Sequence, residues 1–318
     1  MLVARSPSLS KDGTTWDSEH VGQLSARTIL ITGANSGIGF ATAAALVGRG
    51  AHVVLAVRDR VRGEAAAARL VGPGSSSVVG LDLSDLDQVA RCAKRLVDSH
   101  EKIDGLVCNA GVMGGPLLFS AQGFELQMAT NHLGHAALVS ALWTVLEASA
   151  ARVVMLSSNE AQRGRLTPWT TLEQLLKPDP YDGKQVYRNT KQANLLFAQQ
   201  LHRRSKQIRS SVRAVGVHPG TVSTNLFARQ LDRSGRSRLG SISKILTSAL
   251  LSSPETGARG TLWALDESTP SGAFIAPAGF GQLRGRPRLA DVYDSASDPA
   301  TARRLWNLTE EAVGPLAA

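Results

Sequence analysis

The chain has 318 residues, 43% of them apolar and 19% charged, with 35 Lys and Arg against 26 Asp and Glu and a net charge of +9. That is enough apolar material for a sizeable core, yet no stretch reaches the ~18 consecutive apolar residues of a membrane-spanning helix. Cys92 and Cys108 are the only cysteines, and neither number nor spacing suggests a disulfide framework or a zinc site.

Residues 1–25 are polar, punctuated by Pro7 and Gly13, and lack the apolar middle region of a signal peptide. They read as a flexible arm without a membrane anchor, and the chain is expected to be cytoplasmic. Arg27 to Thr32 is a short apolar run that ends at glycines, as a buried parallel strand would. An Ala-rich helix from Gly37 to Gly50 follows, then a β-branched strand from His52 to Val57. Val61 to Val71 predicts a helix stopped by Gly72-Pro73-Gly74, and Ser77 to Leu81 a third strand. A helix over Asp85 to Ser99, capped by Ser84, and a strand over Ile103 to Cys108 come next. A long helix is expected from about Phe124 to Ala150, a strand from Arg152 to Leu156, a helix from Lys184 to Lys206 and a strand from Val212 to Val217. This alternation predicts an α/β fold: a doubly wound parallel sheet with helices on both faces. No linker interrupts it, so residues 26–318 read as one domain.

The chemistry begins at Thr32-Gly33-Ala34-Asn35-Ser36-Gly37-Ile38-Gly39, between the first strand and the first helix. Gly33 permits a sharp turn, Gly37 lets backbone approach a pyrophosphate, and Gly39 allows close helix packing. The helix N-terminus offers free N–H groups to phosphates. After the second strand, where an NAD site usually places an acid, the chain has Val57 and then Arg58. A guanidinium suits the 2′-phosphate of NADP, with Arg62 as a second donor. Far downstream, Tyr187 and Lys191 lie four apart on a predicted helix and share one face. A tyrosine with its ordinary pKa of about 10 is a poor acid/base near neutrality, and a nearby ammonium is expected to pull it down.

In this order the motifs resemble the classical short-chain dehydrogenase/reductase family. The spacing of Gly33, Gly37 and Gly39 matches its classical members, and further matches follow along the chain. The resemblance implies a Rossmann fold whose cofactor is held by Gly33, Asn35, Ser36, Gly37, Ile38 and Gly39. Asp82-Leu83 is similar to the adenine-contacting pair, and Asn109-Ala110-Gly111 to the motif after the fourth strand. Pro219, Gly220, Thr221, Val222 and Thr224 lie in the segment that covers the nicotinamide in the family. The implied catalytic set is Asn131, which holds a proton-relay water, Ser158 for the substrate oxygen, Tyr187 as acid/base, and Lys191, which also binds the nicotinamide ribose. Tyr187-Arg-Asn-Thr-Lys-Gln-Ala-Asn, Asn131-His-Leu-Gly-His and Val217-His-Pro-Gly-Thr resemble the retinol-dehydrogenase-like branch. Trp16 and the Gly279–Gly285 segment are similar to its actinobacterial members.

The expected activity is NADP(H)-dependent interconversion of a carbonyl and an alcohol on a hydrophobic small molecule. A catalytically silent NADP(H)-binding scaffold is the alternative, disfavoured by the intact catalytic set. Ser158 and Tyr187 are 29 positions apart, longer than in minimal members. The extra residues, about 163–184, and the segment 227–251 are expected to form substrate loops, with Trp169 and Phe227 as candidate pocket walls. Oligomeric state is open. From Arg203 to Arg238 nine basic residues meet one acid, Asp232. This reads as a solvated helix end and loop; no aromatic interleaving or nucleic-acid motif accompanies it. His132 and His135, three apart on a helix without a third ligand, point to packing or hydrogen bonding, and no metal is expected. Trp143 and Phe197 read as core.

Overall fold

The computed structural model describes residues 24–100, 102–222 and 252–317. Its first half comprises β1 (Thr28–Thr32), α1 (Gly37–Val47), β2 (His52–Val57), α2 (Arg60–Ala67), β3 (Ser75–Gly80), α3 (Leu86–Ser99) and β4 (Gly105–Cys108). Then come α4 (Leu126–Met128), a π-turn (Ala129–Leu133), α5 (Gly134–Ala141), α6 (Trp143–Ala148), β5 (Arg152–Leu156), α7 (Leu172–Leu176), α8 (Gly183–Gln207) and β6 (Arg213–Val217). The remainder holds α9 (Pro254–Leu265), β7 (Phe274–Pro277), β8 (Pro287–Ala290), α10 (Asp294–Ser297) and α11 (Pro299–Val313). The strands form one sheet in the order β3-β2-β1-β4-β5-β6-β7-β8, parallel except for antiparallel β8. The order reverses between β1 and β4, and ligands bind outside the carboxyl ends of strands at such a switch point.

The sheet has helices on both faces because its central strands are apolar on both. Along β1, Ile29 and Ile31 join one core with Leu46 of α1 and Leu262 and Trp263 of α9, while Leu30 joins the other with Val89 of α3 and Phe197 of α8. Phe197 and Trp306 of α11 stack at 5.2 Å, so the C-terminal helix seals the second core. Trp143 is only partly buried against that core. No helix among the described residues is long and apolar enough to cross a membrane.

Three expectations change. The cap of α3 is Asp85, whose carboxylate accepts the Asp87 and Gln88 N–H groups at 3.0 and 3.1 Å; the Ser84 hydroxyl donates to Asp82 instead. The predicted long helix breaks into α4, the π-turn, α5 and α6. Gly134 sits so close to the β3–α3 connection that a Cβ there would lie 2.1 Å from the Leu83 carbonyl oxygen. The sheet also gains β7 and β8. Each has four residues, and β8 begins at a proline, so neither shows a readable period.

Candidate active site

The glycine turn is built by sterics. Gly33 has φ +67° and Gly37 has φ +59°, the left-handed region that favours glycine. A Cβ on Gly39 would lie 2.6 Å from Asn109 Nδ2 and 2.8 Å from the Gly33 carbonyl oxygen, so only glycine brings α1 this near the turn. Ser36 does not cap α1 with its side chain, and the first helical turn carries no acid. Its leading N–H groups are left for an anion.

Asn109 closes the turn from the β4 side. Its Nδ2 donates to the Thr32 carbonyl at 2.8 Å, and the Asn109 and Ala110 backbone N–H groups donate to Thr32 Oγ1 at 2.9 and 3.0 Å. Buried His135 extends this network. The Asn131 carbonyl can only accept, so His135 Nδ1 carries the proton and donates to it at 3.0 Å. His135 Nε2 then accepts from the Thr32 hydroxyl at 2.9 Å. Burial lowers the His135 pKa to about 3, consistent with a neutral ring.

These elements frame a cleft of about 260 Å³ at the switch point. Of the residues expected to hold a cofactor, it is lined by Gly33, Asn35, Ser36, Gly37, Ile38, Arg58, Asp82, Leu83, Asn109, Ala110, Gly111, Tyr187, Lys191 and Pro219. Gly39 lies behind the turn, Gly220 and Val222 are outside the lining, and Thr224 falls outside the described residues. Sequence reasoning missed Asp59, Val112, Met113 and Thr130, which also line it. Asp59 was detectable as a helix cap: its Oδ1 accepts the Arg62 N–H of α2 at 3.1 Å. Arg58 and Arg62 stand exposed in the wall and form no ion pair with another described residue.

Of the catalytic candidates, Tyr187 and Lys191 line the cleft, while Asn131 and Ser158 lie outside its lining. Asn131 pairs with the Val112 backbone through two bonds, accepting its N–H at 2.7 Å and donating to its carbonyl at 2.9 Å. Asn131 Nδ2 also donates to Thr190 Oγ1 at 3.0 Å, one residue before Lys191. Ser157 and Ser158 divide their work. The Ser157 hydroxyl is buried and donates to the Lys191 carbonyl at 2.7 Å, whereas the Ser158 hydroxyl caps a 3-10 helix at Asn159–Arg163 and donates to Asn159 Oδ1 at 3.3 Å. Lys191 Nζ lies 5.6 Å from the Tyr187 ring centroid and donates to the Leu156 carbonyl at 3.2 Å. Burial brings Lys191 down to about 8.

The expectation that Lys191 pulls the Tyr187 pKa down is not met. Burial pushes the phenol above the ordinary tyrosine range, Ser158 partly offsets this, and Glu160 pushes it further up. A neutral phenol loses more by ionising in an apolar site than an ammonium at this separation returns. Tyr187 therefore holds its proton at neutral pH.

The expected substrate loop at residues 163–184 is pinned down. Thr171 and Gln174 form a capping box on α7, Leu166, Leu175 and Leu176 are buried, and Gln192 bonds both the N–H and the carbonyl of Leu166. Trp169 is 86% exposed and outside the cleft, so it is no wall of it. Phe227 and the segment 227–251 lie outside the described residues. His132 contacts Thr309 at 3.0 Å and Asn194 at 3.4 Å.

A family model described as short chain dehydrogenase matches residues 27–168. Retinol dehydrogenase 14 of Mus musculus is 33% identical over 309 residues, covering 93% of this chain and 88% of that protein. The chain belongs to the short-chain dehydrogenase/reductase family. Within it this protein is retinol-dehydrogenase-like, an oxidoreductase acting between carbonyl and alcohol. The short chain dehydrogenase/reductase dpchH of Colletotrichum higginsianum is 32% identical, covering 94% of this chain and 77% of that one. The crystal structure of an uncharacterized protein from Mycobacterium paratuberculosis superposes with a TM-score of 0.77 at 35% identity, covering 96% of this chain and all of that one.

Proposed function

We propose that this short-chain dehydrogenase/reductase reduces a carbonyl on a hydrophobic small molecule with NADPH, using Tyr187 as the proton donor. The observation that carries this reading is the convergence of Tyr187 and Lys191, 5.6 Å from ring centroid to ammonium, on the wall of the cleft that begins at the Gly33–Gly39 turn. The residues fit a dinucleotide phosphate: two positive-φ glycines, an uncapped helix N-terminus without acids, and two exposed arginines in the wall beyond β2.

The cofactor, when bound, supplies the hydride. Everything else falls to this chain. Ser158 donates to the substrate oxygen and holds it beside the phenol. Tyr187, kept protonated by burial, gives its proton to that oxygen as negative charge develops there. Lys191, pulled down to about 8, carries its charge at neutral pH and stabilises the phenolate that the transfer leaves behind. Asn131, fixed between Val112 and Thr190, positions the π-turn against Lys191's helix. Arg58 and Arg62 favour the 2′-phosphate over a bare ribose hydroxyl.

The test is oxidation of NADPH and of NADH by the purified protein over a panel of hydrophobic ketones and aldehydes, retinal among them since relatives bear that name. Turnover with NADPH that disappears in Tyr187→Phe, while NADPH still binds, is the expected result. Full activity in Tyr187→Phe sinks the proton-donor role; equal use of NADH sinks the cofactor preference.

A further inference from the structure

One exposed loop sets apolar side chains beside a cluster of arginines. The loop from Ala278 to Arg286, between β7 and β8, presents Phe280 at 98% exposure and Leu283 at 41%. Arg284, Arg286 and Arg288 beside them are exposed as well.

The loop is held rigidly in this display. Ala278 N–H donates to the Arg286 carbonyl and Gly279 N–H to the Arg284 carbonyl, both at 2.9 Å. Gly281, Gln282 and Gly285 all adopt positive φ, and a Cβ on Gly279 would lie 2.2 Å from the Arg284 oxygen. From behind, Thr221 N–H donates to the Leu283 carbonyl at 2.8 Å and His218 Nε2 donates to the Gln282 carbonyl at 3.0 Å. The Tyr293 hydroxyl donates to Gln282 Oε1 at 2.6 Å. An aromatic ring kept fully in water by a fixed backbone is a cost that folding alone does not explain.

The position of the loop matters equally. It leaves the carboxyl end of β7, the edge on which the cleft opens, and it abuts Gly220 and Thr221 at the end of β6. Across that edge, the segment after β4 exposes Leu117, Leu118 and Phe119 at 37%, 45% and 51%. Three strand intervals separate β4 from β7, roughly 15 Å at the ordinary spacing. Apolar side chains are thus exposed on two segments that follow β4 and β7, on either side of the strands that carry the cleft, and the arginines add positive charge on a chain of net +9. Apolar anchors beside a basic cluster are complementary to a lipid interface with anionic headgroups.

We propose that the Ala278–Arg286 loop docks the mouth of the active site on an anionic lipid surface. Phe280 and Leu283 enter the headgroup boundary, and Arg284, Arg286 and Arg288 meet lipid phosphates. A hydrophobic substrate then passes between bilayer and cleft without crossing water; this last step rests on the proposed function, but the docking does not.

Flotation of the full chain with vesicles of phosphatidylcholine alone, or with about one-third phosphatidylglycerol, tests the docking. We expect binding to the anionic vesicles that weakens as salt is raised, and little binding to the neutral ones. The double variant Phe280→Ser, Leu283→Ser should lose at least about tenfold in affinity, and each arginine changed to Gln about fivefold. Unchanged melting temperatures keep the result from being a folding defect, since these side chains face water. Equal binding to neutral vesicles, no binding to anionic ones, or binding indifferent to the loop variants would overturn the proposal. So would concentration-dependent self-association abolished by Phe280→Ser, which would assign the surface to a second copy of the chain. NADPH turnover on a water-soluble ketone is read separately, so failure of the enzymatic reading cannot be mistaken for failure of docking.

Discussion

Lowering the pH should unfold this protein through three buried histidines. Burial holds His132 at about 4, His135 at about 3 and His218 at about 4. In the unfolded chain each returns to about 6.5. A depressed folded pKa means that the unfolded state binds more protons below about pH 6.5, so stability is full above that value and falls as pH drops toward 4. At about pH 5 the unfolded chain carries nearly three more protons on these rings than the folded one. Each proton is worth about 1.4 kcal/mol per pH unit, giving a slope of about 4 kcal/mol per unit and a loss of about 6 kcal/mol between pH 7 and 5. Glu125, raised by burial, titrates in the opposite sense and subtracts at most one proton from that slope. Asp85 and Asp298 are lowered and act only at lower pH. A loss of this size is comparable with the whole stability of an ordinary domain. Urea unfolding of the cofactor-free protein, followed by tryptophan fluorescence at several pH values, measures it directly. A dependence below about 1 kcal/mol per unit between pH 5 and 6 would refute the argument, and His132→Gln should remove about one-third of the slope.

Other outcomes follow from single contacts. Gly39→Val should fold poorly or lose NADPH binding at least about a hundredfold, because its side chain collides with Asn109 and the Gly33 carbonyl; near-normal affinity by fluorescence titration would remove the steric account of the turn. Arg58→Ala should weaken NADPH by about 1–3 kcal/mol and leave NADH almost unchanged; equal losses for both take Arg58 off the 2′-phosphate. Trp306→Ala should cost about 3–5 kcal/mol in chemical denaturation through the lost stack on Phe197, whereas Trp306→Phe should cost far less, since the indole Nε1 is buried without a hydrogen-bond partner. Carbonyl reduction should decline above about pH 8 as Lys191 loses its proton; a flat profile to about pH 10 would mean that Lys191 stays charged or has no electrostatic part.

The glycine turn, Arg58, Tyr187 and Lys191 stood out as candidates by residue type and spacing, whereas Asn131 and Ser158 were named through the family resemblance alone. A left-handed turn requires glycine, and a shared helix face requires separation by four. The order of β1 through β6 was equally plain, since strands buried on both faces are apolar throughout and their helices are bounded by glycines and caps. The residues left unread were those whose role depends on what lies opposite. His135 gives no local sign that it joins the Asn131 carbonyl to Thr32, because Thr32 lies 103 positions before it along the chain. Asp59 and Asp298 could have been read as caps from their positions before helices, and Pro299 after Asp298 marked the start of α11. By contrast, β7 and β8 exist only because β6 offers an edge to pair with.

By itself, then, the sequence determined the fold family, and it singled out the glycine turn and the Tyr187–Lys191 pair as candidates because these are written in conformational requirements of individual residues. Only the tertiary structure decided that Ser157 ties down Lys191 while Ser158 caps a 3-10 helix, and that the predicted long helix takes a π-helical turn at Ala129–Leu133. It also revealed that Tyr187 is buried, which pushes its pKa up. Each of these depends on burial and on partners brought together by the sheet. Desolvation is a property of the surroundings, and no stretch of chain carries its own.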